Sequence, residues 1–155
     1  MLRPVRLSCS ITSHQSPQEI AAIFLDLSKW SLFSGYGPLP GIKSASYTMQ
    51  TPEIVGSIIA AVCTDNSTHS EEVIEWDLPH SFRLKLSNFS PPLSFFATHF
   101  DEWTHFELKG DETIVTRTMH LFPRHIFAYP LLWFVRPLMR KAIIRSHEAI
   151  TGADL

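Results

Sequence analysis

Cysteine is scarce: Cys9 and Cys63 are the only two in 155 residues, and neither stands in a CxxC or a Cys/His metal spacing. That excludes a disulfide-stapled scaffold and a cysteine-ligated zinc site, and two reduced, half-buried strand thiols in a cytoplasmic protein are expected. Net charge is also small. Thirteen Lys and Arg against 15 Asp and Glu leave a formal charge of −2, so no bulk field draws the chain to nucleic acid. Long apolar runs are missing too, because Arg136 and Pro137 interrupt the one candidate short of the roughly 20 residues a spanning helix needs. The opening MLRPVRLSCSITSH has no apolar core of a secretory signal, and a soluble protein is expected.

Catalytic and cofactor patterns are equally thin. No HExxH spacing or nucleophile elbow occurs, and the glycine-rich stretch Phe33 to Ile42 lacks both the GKS/T ending and the strand-before-helix setting of a phosphate cradle. Neither a metal nor a cofactor is expected. His69 beside Glu71 or Glu72 is a fragment of a metal site only, and His99, His105 and His120 fall on strands or strand edges without completing one.

Aromatic residues are what the chain has in quantity, with 11 Phe and 4 Trp that must fill a core or line a pocket. The length suits one domain over 1–155 that buries roughly two-thirds of its unfolded surface. Its spine is Phe127 to Ile150, FAYPLLWFVRPLMRKAIIRSHEAI. Leu131 to Val135 is hydrophobic all round and is expected to be buried; from Pro137 the pattern turns amphipathic.

The rest follows in order. Val5 to Ser13 alternates at the period of a half-buried strand. Ser16-Pro17-Gln18-Glu19 supplies an N-cap, a first-turn proline and a capping glutamate, and the spacing of Ile20, Ile23, Phe24, Leu27 and Trp30 predicts a helix to about Ser31. After the Gly/Pro connector come six strands, Ile42–Thr51, Val55–Thr64, His69–Asp77, Phe82–Phe89, Phe100–Lys109 and Glu112–Phe122, separated by turn signals. Strand, helix, six strands and long helix imply an α+β fold with both helices on one side of one antiparallel sheet.

That order, with the GYGPLPGI connector, the strands EEVIEWDLPHSF and HFDEWTHFELKGDETIVTR and the closing helix, resembles the START-like helix-grip superfamily, also called SRPBCC. The group holds polyketide cyclases, ligand-binding pollen allergens and lipid-transfer domains. The resemblance implies a curved antiparallel sheet wrapped around a long C-terminal helix, with an internal cavity for an apolar ligand.

Turn chemistry sorts the side chains. A two-residue turn at Gly110-Asp111 pairs Lys109 with Glu112, which puts Phe100, Glu102, Thr104 and Phe106 on one face with Val115, Arg117 and Met119. A similar turn at Asn66-Ser67 groups Ile59, Ala61 and Cys63 with Glu72, Ile74 and Trp76. Three inward charges follow: Glu72, Glu102 and Arg117, with Glu102 diagonal to Arg117. Tyr36, Trp76, Phe100, Phe106, Met119 and Trp133 are the expected ligand contacts.

Two main functions fit this arrangement. The cavity holds an apolar small molecule such as a lipid, polyketide or terpenoid; or a cyclase or dehydratase uses Arg117 as anion anchor and Glu72 or Glu102 as proton carrier. Against the second stands a purely structural Glu102–Arg117 ion pair. A third reading has the basic, aromatic closing helix lying on a membrane as a lipid-transfer device, but burial under the sheet takes precedence and membrane contact is not expected.

Overall fold

A computed structural model describes residues 2–153. Seven strands form one antiparallel sheet: β1 (Val5–Ser13), β2 (Ile42–Met49), β3 (Ile58–Cys63), β4 (Thr68–Asp77), β5 (Ser81–Ser87), β6 (Ala97–Lys109) and β7 (Glu112–Pro123), in the spatial order β1-β7-β6-β5-β4-β3-β2. The helices are α1 (Pro17–Leu25) and α2 (Tyr129–Ala153). Register shifts in the β2–β3, β4–β5 and β6–β7 pairings mark bulges, which raise local twist and help curl the sheet.

Local sequence explains the boundaries. Ser16 Oγ accepts from the Glu19 amide at 3.1 Å and Pro17 opens α1. The helix stops at Leu25, earlier than its periodicity suggests. Asp26 leaves helical geometry and accepts from the Ser28 amide at 3.2 Å, starting a 3-10 segment over Leu27–Leu32. This tighter turn buries Trp30, whose Nε1 donates to the Phe24 carbonyl at 2.7 Å. The connector then folds on itself through paired Tyr36 and Leu39 amides and carbonyls. Gly35 makes that possible, with φ 75° and space so tight that a Cβ would lie 2.2 Å from the Leu39 carbonyl oxygen.

Cross-strand rows define the inner face. One row runs Ile59, Glu71, Leu86, Phe100, Leu121 and Val5 from β3 to β1; the next runs Val73, Leu84, Glu102, Met119 and Leu7. All eleven are buried. Leu132 and Ile143 of α2 are buried with this layer, and α2 is tied to the start of the chain where Tyr129 Oη and Arg136 Nε each donate at 2.7 Å to the Arg3 and Arg6 carbonyls.

Two expectations are corrected here. The stretch Leu131 to Val135 is not buried all round: Leu132 is fully covered, but Trp133 and Phe134 are 56% and 58% exposed. A single sheet covers only one side of a helix. The β3–β4 turn is also different, for Asn66 adopts φ 68° and the Cys63 amide donates to the Ser67 carbonyl. Three residues, Thr64, Asp65 and Asn66, therefore make the turn, the third in the left-handed region that Asn tolerates. An odd loop in place of an even one turns β4 over.

Candidate functional site

Between the inner face of the sheet, α1 with its 3-10 extension, and α2 lies a cavity of about 400 Å³. Its walls are mostly apolar, with Phe24 and Trp30 from the first helical unit, Phe100 and Met119 from the sheet, and Val135 and Met139 from α2. Exposed Asp65 and Thr68 also line it, marking an opening beside the β3–β4 turn. A space of this size and lining suits one small apolar molecule.

Two ion pairs stand in the cavity wall. In the first, Arg117 on β7 donates from Nε to Glu102 Oε1 on β6 at 2.7 Å and from a terminal nitrogen to the same oxygen. Glu102 is buried, and Arg117 belongs to the adjacent cross-strand row, so the diagonal reach expected from the Gly110-Asp111 turn is what the structure contains. His147 of α2 also lines the cavity. Burial, then the Arg117 charge, holds its imidazole down at about 3, which keeps it neutral near pH 7.

The second pair is His69 with Glu71 on β4, Nε2 to Oε1 at 3.0 Å, with side chains only 12% and 10% exposed. His69 Nδ1 lies 3.9 Å from the Cys63 sulfur on β3. Burial opposes a charge on this imidazole, yet the hydrogen bonds and charges of Cys63 and Glu71 outweigh it and push His69 up to about 10. Glu71 and Glu102 stand two strands and one row apart, roughly 10 Å across the sheet.

The residues expected at the site separate into two groups. Glu102, Arg117, Phe100 and Met119 all line the cavity. Glu72 does not; it lies on the outer face opposite Lys85, and Glu71 takes the inward position because the β3–β4 turn is one residue longer than assumed. Trp76 is brought back to the inner side by the bulge at Ile74, where it stacks on Phe82 at 5.0 Å, but like Phe106, 6.0 Å from the same ring, it stands behind the lining. Tyr36 is carried outward, 5.1 Å from Lys141, while its neighbours Leu39 and Pro40 face the cavity. Trp133 points to solvent under the Arg136 guanidinium. Cys63 was placed on the inward face but given no role, and His69, Glu71 and His147 were missed; an Asn preceded by Thr-Asp was the available signal for His69 and Glu71.

No family model matches the sequence, and no curated protein matches it. Solved structures do. Ginseng major latex-like protein 151 from Panax ginseng superposes with a TM-score of 0.74 at 14% identity over 99% of both chains. A START superfamily protein from Mycobacterium smegmatis gives 0.70 at 12% identity, over 96% of this chain and 95% of that one. The chain has the START-like helix-grip fold. A protein from Thermus thermophilus extends the likeness, at 0.71 and 14% identity over 96% of this chain and 95% of its own. The helix-grip arrangement accounts for the cavity's position, since the sheet curls around α2 without closing on it.

Proposed function

We propose that this protein binds one apolar small molecule, of lipid, polyketide or terpenoid type, in the cavity between its sheet and α2. The observation that carries the reading is the cavity itself: about 400 Å³, walled mostly by aromatic and aliphatic side chains, with its two buried carboxylates, Glu71 and Glu102, each paired with a basic side chain. An apolar guest gains by leaving water there, at roughly 25 cal/mol per Å² of surface buried. Arg117 and Glu102 are each other's partners, which favours a carrier over a cyclase or dehydratase, because an anion anchor has to be available to the substrate. Organic extraction of the purified protein with mass spectrometry, followed by titration of the recovered compound against Trp30 fluorescence, tests the reading. Stoichiometric compound released unchanged supports it; a compound returned cyclised or dehydrated would move Arg117 and Glu102 into catalysis.

One surface feature favours a second, compatible reading. Pro130, Trp133, Phe134 and Pro137 recur at i, i+3, i+4 and i+7 on α2, where Trp133 and Phe134 are exposed, and Ile126 and Phe127 just before the helix are 59% and 79% exposed. Arg140 and Lys141 follow on exposed positions of the same helix. An apolar stripe followed by cations fits an anionic lipid surface. Sedimentation with vesicles containing phosphatidylserine, against neutral vesicles, tests it; no sedimentation at low salt removes it.

A further inference from the structure

Cys63, His69 and Glu71 stand in a line. The sulfur is 3.9 Å from His69 Nδ1, and Nε2 on the far side of the ring is 3.0 Å from Glu71 Oε1. All three line the cavity. This is the constellation of an activated thiol: a nucleophile, a base facing it, and a third group that fixes the base. With Glu71 accepting from Nε2–H, Nδ1 faces the sulfur, and the proton that the sulfur and the ring share sits on Nδ1, as the raised His69 requires. The Phe89 ring, 6.1 Å from the imidazole, closes one side of the site with apolar surface.

We propose that Cys63, His69 and Glu71 form a nucleophilic site in the cavity wall that takes apolar α,β-unsaturated carbonyl compounds by conjugate addition at the Cys63 sulfur. The proposal rests on the reading of the cavity as a site for apolar molecules. In the step, the one proton shared by Cys63 and His69 starts on Nδ1, and the sulfur attacks the β carbon. The π pair of the C=C bond shifts to give an enolate, and the α carbon then takes the proton back from the imidazolium. The net change is S–H added across C=C, with no leaving group and no other reactant.

Backbone geometry selects addition over acyl transfer. An acyl transfer needs amides aimed at a tetrahedral oxyanion. Those around the thiol are already donating within the protein: Cys63 to the Ser67 carbonyl, Thr64 to the Gly41 carbonyl, Asn66 to the Cys63 carbonyl, Ser67 to the Asp65 carboxylate and Thr68 to Ser90 Oγ, all at 2.8–2.9 Å. Conjugate addition develops its charge on an enolate oxygen three bonds from the attacked carbon, so that charge need not fall beside these amides. Cys9, buried on β1 and outside the cavity lining, is an internal reference; burial pushes its thiol up.

The test is reaction of the whole protein with trans-2-nonenal, borohydride reduction and peptide mapping, with glutathione in the same solution as the measure of an ordinary thiol. Native mass spectrometry with the saturated alcohol 1-nonanol reports non-covalent binding. The expected result is one nonenal on Cys63, none on Cys9, formation faster than on glutathione, and slowing by about 100-fold in His69→Gln with 1-nonanol still bound. Labelling of Cys63 no faster than glutathione, or equally fast in His69→Gln, overturns the nucleophilic site; with 1-nonanol bound, it leaves the carrier reading intact. Loss of 1-nonanol binding in the unaltered protein overturns both. Should His69→Gln fail to fold, the comparison of Cys63 with glutathione in the unaltered protein decides.

Discussion

Arg117 reaches diagonally from β7 to Glu102 on β6, and both side chains belong to the cavity wall. Arg117→Met strands a buried carboxylate, so it is expected to destabilise the fold by about 2–4 kcal/mol, discounted because Arg117 is one-fifth exposed. Arg117→Met with Glu102→Leu is expected to recover most of that loss, since apolar replacement of a whole buried pair is often neutral. Urea denaturation of the unaltered protein and the two variants measures it. A double variant that still binds the extracted compound marks the pair as structural.

Two histidines on the cavity wall limit stability from opposite sides. His69 is raised from 6.5 to about 10, so the folded chain holds its proton more tightly than the unfolded chain. The resulting stability is fully present below pH 6.5 and is lost as pH rises through about 10. His147 is lowered from 6.5 to about 3; here the unfolded chain takes up the proton first, so stability is lost as pH falls from 6.5 toward 3. Urea midpoints against pH are expected to flatten on the alkaline side in His69→Gln and on the acid side in His147→Gln.

Filling the cavity separates binding from folding. Leu86→Trp projects a larger ring from the sheet into the space. Overpacking is expected to cost about 1–3 kcal/mol, less than a typical domain's whole stability, while excluding the apolar guest. Fluorescence titration beside a thermal melt checks both outcomes.

Trp133→Ser with Phe134→Ser removes the two large exposed rings of α2. Vesicle sedimentation is expected to fall, with stability moving by no more than about 0.5 kcal/mol per surface substitution. Unchanged sedimentation would assign these rings no part in lipid contact.

The β3–β4 turn offers a conformational check. Asn66, at φ 68°, replaced by Gly should leave stability nearly unchanged, whereas Asn66→Ala should lose about 1–2 kcal/mol by denaturant titration.

That turn also shows where sequence reading stops. The β6–β7 register was legible because Gly110, at φ 64°, occupies the first central position of a two-residue hairpin, and every pair from Lys109 to Phe100 follows from it. The limits of β1 follow from its alternation alone. The β3–β4 turn contains two polar residues able to enter the left-handed region, Asp65 and Asn66, and the choice between a two- and a three-residue loop is settled by the pairing of whole strands. That choice exchanged Glu72 for Glu71 and turned His69 outward, so the inward Cys63 had no partner to mark it. On α2 the run from Leu131 to Val135 has no polar residue to mark a wet side. Only the sheet's position reveals that Leu132 is covered and Trp133 is not.

The first strand lies beside the last, and α2 is fastened to carbonyls at the start of the chain. Pairings such as Val5 with Leu121 span most of the sequence, so loop closure makes them late events in folding. A chain still emerging from the ribosome has the meander but no roof over it. The compartment therefore comes into being only when α2 docks, so on the proposed carrier function a guest is taken up by a finished molecule or is caught as the helix comes down.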